Sequence, residues 1–357
     1  MRLSELAGNS AFLRSEATLA WLGQFDAADQ PAAVELLRAM SLVSRDAFSE
    51  RLRALILRRL DAGHEPIGLY VERELRHRQG VPHRLFKETR TKVRRAHGVG
   101  PSPVQPIRAY EADVGSEGII AQLVSELCRE QPTRFLNHPG PDEIRRRRVR
   151  RFLLVTDFAG SGQRARRYIE AAWRVRSVRS WWSARARCGL AFEVVAYATV
   201  DHGRDWIESH PVRPSVYVVA ACPTIDKNFS AERRRVIYDL CTRYSPSGSA
   251  LHPLGFSSTG ALIAFAHGAP NNTPLILHKR SAFWTPPFPG SGHRRHPRDV
   301  STGSGNGRDS SGEAHHDEAK SAGTVRRTKE CQAGLQKFVA GTGRGDPAAS
   351  PGGIHRQ

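Results

Sequence analysis

The chain has 357 residues, of which 39% are hydrophobic, so it is long enough for one large domain with additions or for two modest domains. Lys and Arg together number 54 against 35 Asp and Glu, and the formal net charge of +19 allows binding to nucleic acid or phosphates, although an Arg-rich coding bias would give the same balance. Five scattered cysteines without a CxxC pair argue against a disulfide scaffold and a zinc site, and no apolar run approaches the length of a membrane span.

The N-terminal region, residues 1–62, has helical patterns. It lacks the pattern of a signal peptide, so we expect a cytoplasmic protein without a membrane partner. In "DQPAAVELLRAM", Pro31 suits a first helical turn, and "SRDAFSERLRALILRRL" starts with Ser44 as a candidate cap and places Phe48 and Leu52 on one face. These patterns predict a helical extension that packs or dimerises.

Residues 63–290 have the texture of a parallel α/β domain. The apolar runs "IGLYVE", "RFLLVTD", "FEVVAYATV", "SVYVVAA" and "PLILH" are predicted strands, and helical patterns such as "QRARRYIEAAWRV" and "AERRRVIYDLCTRY" lie between several of them. A basic, turn-rich stretch at residues 76–106 is predicted to be a long connection. Residues 291–357 are rich in Gly, Ser and charge, and we expect most of this tail to be disordered because it cannot bury enough apolar surface.

The stretch "FLLVTDFAGSGQRARR", residues 152–167, carries the strongest functional signal. An apolar strand ends at Asp157, a glycine-rich turn follows, and a helix begins. "GSGQRA" matches the dinucleotide-binding pattern, but the acid at the end of the next predicted strand, Asp201, is too far away to hold the ribose as that fold requires. "DFAGSG" with "TPPF" at residues 285–288 is also similar to S-adenosylmethionine-dependent DNA methyltransferases, but Thr285 is a poor substitute for their Asp, Asn or Ser.

A third interpretation covers more residues, because the same stretch resembles the diphosphate-ribose motif of type I phosphoribosyltransferases. Four apolar strand residues precede Thr156 and Asp157 at the position of that motif's acid pair, and residues 161–164 match its loop. A carboxylate at the end of a strand can accept hydrogen bonds from ribose hydroxyls. Backbone amides of a glycine loop that opens a helix can surround a phosphate.

Further motifs extend the resemblance over residues 15–290. The segments "DVGSEGIIAQLVSEL", "LLVTDFAGSGQRARRYI", "LGFSSTGALIAFAHGAPNNTPLILH" and "FWTPPFP" follow one another as in the phosphoribosyltransferase-like domain associated with bacterial conflict systems. The resemblance implies an α/β fold with a mostly parallel sheet of the type I phosphoribosyltransferase-like kind. It also implies an effector or sensor of antiphage defence, including retron-type systems, that binds phosphoribosyl diphosphate or a nucleotide with Mg²⁺ and works with partner proteins of the defence system.

The resemblance also assigns roles to individual residues. Asp157 would hold the ribose or the Mg²⁺ ion. The proposed phosphate cradle consists of Gly160, Ser161, Gly162, Gln163 and Arg164, and the turn proposed to contact pyrophosphate consists of Gly115, Ser116, Glu117 and Gly118. Both turns also suit an ordinary helix entry, which leaves a purely structural role open.

Thr156 departs from the motif, because related transferases carry an acid there. Loss of that charge puts transferase activity in doubt, so the sequence leaves open a pentosyl-transferring enzyme and a non-catalytic ligand binder. A nucleic-acid-binding protein remains a third alternative, supported only by the Arg content and the run at residues 145–151. The "PNNT" loop at residues 270–273 is interpreted as a structural loop or as the rim near a bound base.

Overall fold

A computed structural model describes residues 12–103, 116–187, 189–246 and 249–288. Within these residues the α-helices are α1 (Glu16–Leu22), α2 (Gln30–Arg38), α3 (Arg45–Arg58), α4 (Ser116–Glu130), α5 (Pro141–Arg147), α6 (Gln163–Trp173), α7 (Arg176–Ser183), α8 (Asp201–Glu208), α9 (Ile225–Asn228), α10 (Ala231–Arg243) and α11 (Leu275–His278). The β-strands are β1 (Ser41–Val43), β2 (Ile67–Val71), β3 (His77–Arg78), β4 (Val81–Pro82), β5 (Lys87–Glu88), β6 (Ala96–His97), β7 (Phe135–Asn137), β8 (Arg151–Ala159), β9 (Ala191–Thr199), β10 (Ser215–Ala221) and β11 (Ile263–Phe265).

The predicted α/β fold with a mostly parallel sheet is confirmed. Five strands pair in the order β10-β9-β8-β2-β7, and every pair in this sheet is parallel. β8 is the central strand, and its apolar residues are buried because helices cover both faces of the sheet. The carboxyl ends of β2, β8 and β9 therefore meet at one edge of the sheet.

The alternation of side chains along β8 separates two apolar cores. Leu153 and Val155 pack in the core that includes residues of α3 and α4, whereas Phe152 and Leu154 pack in the core that includes residues of α5, α6 and α7. This alternation follows from the two-residue period of a β-strand. The covered sheet fixes the backbone at the carboxyl end of β8, which carries Asp157.

The N-terminal helices form as the sequence predicts. Ser44 Oγ accepts a hydrogen bond from the Ala47 amide at 3.1 Å, and Pro31 lies in the first turn of α2. Residues of α1 and α2 share a third apolar core with residues of α10 and α11, and β1 pairs with β11 in parallel. The domain boundaries at residues 62/63 and 290/291 stay predictions.

One predicted strand is wrong. "PLILH" forms the short helix α11, and the outer strand beside β2 is β7, with the sequence "FLN". A run of three apolar residues suits a buried helical turn as well as a strand, and packing in the third core favours the helical turn here. Trp21 Nε1 and Trp284 Nε1 both donate to the Ile276 carbonyl, at 3.0 and 2.8 Å, and residues 275–277 are fully buried.

The predicted basic connection is present in its described part, residues 76–103, which carries two short hairpins, β3–β4 and β5–β6. The tail predicted for residues 291–357 lies outside the described residues. Among the helices of the described ranges, none combines the length and apolar character needed to cross a membrane.

Candidate functional site

Two carboxylates meet at the carboxyl edge of the central sheet. Glu72 directly follows β2, and its amide donates to the Val155 carbonyl of β8 at 2.9 Å. The Thr156 Oγ1 atom lies 2.7 Å from Glu72 Oε2 and 3.3 Å from Asp157 Oδ1. Because a hydroxyl has one hydrogen, the shorter contact is its hydrogen bond, and Glu72 is the acceptor. Two acids from neighbouring strands therefore flank one hydroxyl group.

Asp157 is held in its ionised form. Burial alone would raise the pKa of Asp157, but the nearby His267 and Ser116 side chains and the hydrogen bond from the Phe158 amide outweigh it and lower the pKa below its ordinary value. The Phe158 amide donates to Asp157 Oδ1 at 2.7 Å, and His267 Nε2 lies 3.4 Å from Oδ2. One fifth of the Asp157 side chain is exposed, so a ligand can reach it.

Glu72 is more deeply buried, and Arg164 lies against it. Arg164 Nε forms an ion pair with Glu72 Oε1 at 2.7 Å, and its Nη2 atom pairs with Glu117. Burial raises the pKa of Glu72, while Arg164 and the Thr156 hydroxyl partly counteract that rise. Half of the Arg164 side chain is exposed, so this guanidinium covers Glu72 on the side that faces solvent.

The glycine turn between β8 and α6 needs its glycines for two different reasons. A Cβ atom at residue 160 would overlap the Asn272 side chain, which is itself held by donation to the Phe256 carbonyl at 3.1 Å and to Thr259 Oγ1 at 3.0 Å. Gly162 has a φ of 70°, a left-handed conformation that favours glycine. The "PNNT" loop thus packs directly against this turn and supports its shape.

The amino end of α6 keeps free backbone donors. Gly162 provides no side-chain cap, and the Gln163 amide donates to Ser161 Oγ at 3.3 Å. The amides of Arg164 and Ala165 make no hydrogen bond among the described residues. Such free amides at a helix N-terminus attract an anion.

The second predicted turn reaches the same place in part. Ser116, Glu117 and Gly118 form the first turn of α4, and Gly115 lies outside the described residues. Ser116 lies near Asp157 and helps to lower the pKa of that carboxyl, and Glu117 pairs with Arg164. The structure therefore brings Ser116 and Glu117 together with the cradle and with Asp157.

Glu72 and His267 are the site residues that the sequence analysis missed. Glu72 is the first polar residue after the buried strand "IGLYV", which is the same pattern that singles out Asp157 after "FLLVT". This pattern of an acid after a buried strand could therefore have identified Glu72 from the sequence. His267 stacks on Phe265, with ring centroids 5.0 Å apart, and no local pattern indicates that its ring reaches Asp157.

The charge of the site is negative. Glu72, Asp157 and Glu117 supply carboxylates, and Arg164 supplies the guanidinium that pairs with two of them. Within the described ranges, no group of three or more His, Cys, Asp or Glu side chains is arranged to hold a metal ion. A magnesium ion in a phosphate site commonly takes only one or two carboxylates, with water and ligand phosphates completing its shell, so the partly exposed Asp157 carboxylate suits such an ion.

A comparison with protein families shows the family of the chain. A family model described as PRTase-CE matches residues 18–289, which is most of the chain. A search of curated proteins found no significant match. The chain belongs to the PRTase-CE family and contains a phosphoribosyltransferase-like domain.

Proposed function

We propose that the strand-end site binds phosphoribosyl diphosphate or a related nucleotide together with Mg²⁺. The observation that carries the proposal is the pair of carboxylates, Glu72 and Asp157, on either side of the Thr156 hydroxyl and beside a glycine turn that opens α6. Ionised Asp157 accepts hydrogen bonds from the ribose hydroxyls. Its lowered pKa keeps it in the acceptor form at neutral pH.

The 5′-phosphate binds at the amino end of α6 in this proposal. The free amides of Arg164 and Ala165 donate to phosphate oxygens, and the shape that Gly160 and Gly162 give to the turn places these amides at the start of α6. The exposed part of Arg164 adds a charge-assisted hydrogen bond. A phosphate that attracts Arg164 also competes with Glu72 and Glu117 for the same guanidinium.

Mg²⁺ would be held by Asp157 and by oxygens of the ligand, and when bound it would neutralise charge on the diphosphate. Two further carboxylates, Glu72 and Glu117, lie nearby, where both pair with Arg164. The Ser116 hydroxyl orients Asp157, and the amides that begin α4 lie on the side proposed for pyrophosphate.

Glu72 is relevant to whether this site catalyses a reaction or only binds a ligand. The acid absent from position 156 has a counterpart on the neighbouring strand, and Thr156 joins that counterpart to Asp157. We propose that Glu72 and Asp157 together stabilise positive charge that develops on the ribose when the bond from its anomeric carbon to pyrophosphate breaks. A binding protein without turnover would use the same contacts.

The biological role is proposed from the family resemblance. An effector or sensor in bacterial antiphage defence would use ligand binding at this site as its signal and would pass that signal to partner proteins. The "TPPF" segment, which a DNA methyltransferase would use as its catalytic motif, contributes to the third apolar core, where Phe288 stacks on Phe12 with ring centroids 5.1 Å apart. This packing favours the phosphoribosyl ligand over S-adenosylmethionine.

Calorimetric titration tests the proposal. Phosphoribosyl diphosphate with Mg²⁺ is titrated into the wild type, into Asp157→Ala and into Asp239→Ala, a control that removes an exposed carboxylate from α10. We expect binding to wild type and to the control, and loss of binding in Asp157→Ala or in the presence of EDTA. Equal binding by all three proteins, or binding of S-adenosylmethionine in its place, would overturn the proposal.

A further inference from the structure

We propose that a second, basic cleft on this chain binds a strand of nucleic acid through its phosphodiester backbone. The cleft has a volume of about 1040 Å³ and is formed by the β3–β4 and β5–β6 hairpins beside the carboxyl end of α6. Six cationic side chains line it, namely Arg78, Arg84, Lys87, Arg90, Arg94 and Arg174. We call this feature the basic cleft.

The cations of the basic cleft are not balanced by acids. Glu88 is its only acidic lining residue, and this carboxylate is already engaged. Its Oε1 atom accepts from the Arg176 amide at the start of α7 at 2.7 Å, and its Oε2 atom lies 3.6 Å from Arg84 Nε. The Glu88 side chain is also almost completely buried, so it offers little negative charge to a ligand.

Several of the cations have no partner in the part of the chain that the structure describes. Arg78, Lys87, Arg90 and Arg94 are exposed, and none of them makes a side-chain hydrogen bond or ion pair among the described residues. Exposed arginines without a described partner also occur elsewhere, for example Arg38 on α2, but four such cations line this one concave surface. A concentration of unpaired cations facing one concave surface favours a polyanionic ligand.

The walls of the basic cleft are anchored to the folded domain. The Leu85 amide donates to the Ala171 carbonyl of α6 at 2.9 Å, and the Ala96 amide donates to Ser177 Oγ at 2.8 Å. Arg174 reaches the Pro82 carbonyl with its side chain, and Phe86 packs in the core beneath α6. The concave shape is therefore a fixed part of the fold, and the cations do not lie on a free-standing segment.

The basic surface continues beyond the cleft, which favours a polymer over a small ligand. Lys92 and Arg95 lie on the tip of the β5–β6 hairpin and are exposed, and no acid occurs between residues 89 and 103. On adjacent α5, Arg145 and Arg146 pair with Asp142 and Glu143 of the same helix, so the β5–β6 hairpin carries the extension of the basic surface. Such a track suits successive phosphates along a strand.

The basic cleft and the strand-end site lie at opposite ends of α6. Gln163 begins the helix beside the glycine turn, whereas Arg174 lies just beyond its last residue and lines the cleft. Eleven residues of α-helix separate these ends by about 16 Å. A nucleic acid in the cleft and a phosphoribosyl ligand at Asp157 can therefore bind to the same molecule.

Fluorescence anisotropy with the full-length protein tests the inference, using labelled single-stranded DNA of about 20 nucleotides, longer than the site of a typical binding domain. The test variant combines Arg78→Gln, Arg90→Gln and Arg94→Gln. The control combines Arg38→Gln, Arg58→Gln and Arg235→Gln, which remove the same charge from exposed helical positions without ion-pair partners. Asp157→Ala is measured alongside, and thermal unfolding by circular dichroism checks that each variant is folded.

We expect the cleft variant to bind at least about tenfold more weakly and its slope of log affinity against log salt to decrease by about 2, since each lost phosphate contact on a single strand removes about 0.7. The control triple variant and Asp157→Ala should bind like the wild type. Equal affinity for DNA in the two triple variants would overturn the inference. So would competition by inorganic tripolyphosphate at equal phosphate concentration, because the cleft would then bind a small polyphosphate.

Discussion

The Thr156 hydroxyl donates to Glu72 Oε2 at 2.7 Å, although the two residues are 84 positions apart in the chain. Thr156 lies in β8 and Glu72 directly follows β2, so parallel pairing of these strands creates the contact. Position 156 therefore does not simply lack an acid. It carries a donor that orients an acid from the next strand beside Asp157.

Replacement of Thr156 by Val should show how much this hydrogen bond contributes to the stability of the fold. The side chain keeps its volume but loses the donor, which leaves a buried carboxylate oxygen without its hydrogen bond. We expect a loss of about 1–3 kcal/mol in the free energy of unfolding, measured with urea, and little loss in Thr156→Ser. Equal stability of the Val and Ser variants would show that the hydroxyl contributes nothing to Glu72.

Replacement of Glu72 by Gln should change the pH dependence of stability. Burial raises the pKa of Glu72 above its ordinary value of 4.5, so the folded protein binds more protons at this residue than the unfolded chain. The wild type should therefore lose stability relative to Glu72→Gln as the pH rises from 4.5 through the folded pKa, with a slope of at most about 1.4 kcal/mol per pH unit. Urea unfolding across that range measures it. Parallel pH profiles of the two proteins would contradict the raised pKa.

Replacement of Arg164 by Gln should affect both stability and ligand binding. Glu72 loses its 2.7 Å ion pair and Glu117 loses its partner. Because half of the Arg164 side chain is exposed, water replaces part of the interaction, and we expect a destabilisation of about 1–2 kcal/mol.

Affinity for phosphoribosyl diphosphate should fall at least about tenfold in Arg164→Gln, since a charge-assisted hydrogen bond contributes about 1.5–3 kcal/mol. Arg167→Gln, one turn further along α6 at an exposed position without a partner, is the matched control for both measurements. A variant that is destabilised but binds the ligand normally would limit Arg164 to a structural role.

The sequence predicted the half of the site that is local in the chain. Asp157 ends an apolar run and is followed at once by a glycine turn, so short-range pattern suffices to find it. Glu72 and His267 come from residues 85 positions before and 110 positions after Asp157, and they reach it only through strand pairing and loop packing. Strand order and register determine these contacts, and neither can be predicted from the residue pattern of a single strand.

The same reason explains the error at "PLILH". Its three consecutive apolar residues resemble a short buried strand, but Trp21 and Trp284 fix the Ile276 carbonyl in a helical turn. Helix or strand could be predicted correctly for longer segments such as α6 and β8. Over about ten residues, the spacing of apolar side chains is a stronger signal than any single tertiary contact.

Gly160→Ala should distort the glycine turn through steric overlap. An added Cβ meets the Asn272 side chain, and we expect a destabilisation of about 1–3 kcal/mol together with weaker ligand binding, measured by urea unfolding and calorimetry. Gly23→Ala is the control, because its Cβ would lie at ordinary contact distances of 3.6 Å and its φ is −66°, and its stability should stay within about 0.5 kcal/mol of the wild type.

Adding Asn272→Ala to Gly160→Ala removes the overlapping group, so the double variant should be more stable than the sum of the two single effects predicts. Strict additivity would mean that the overlap with Asn272 does not cause the destabilisation.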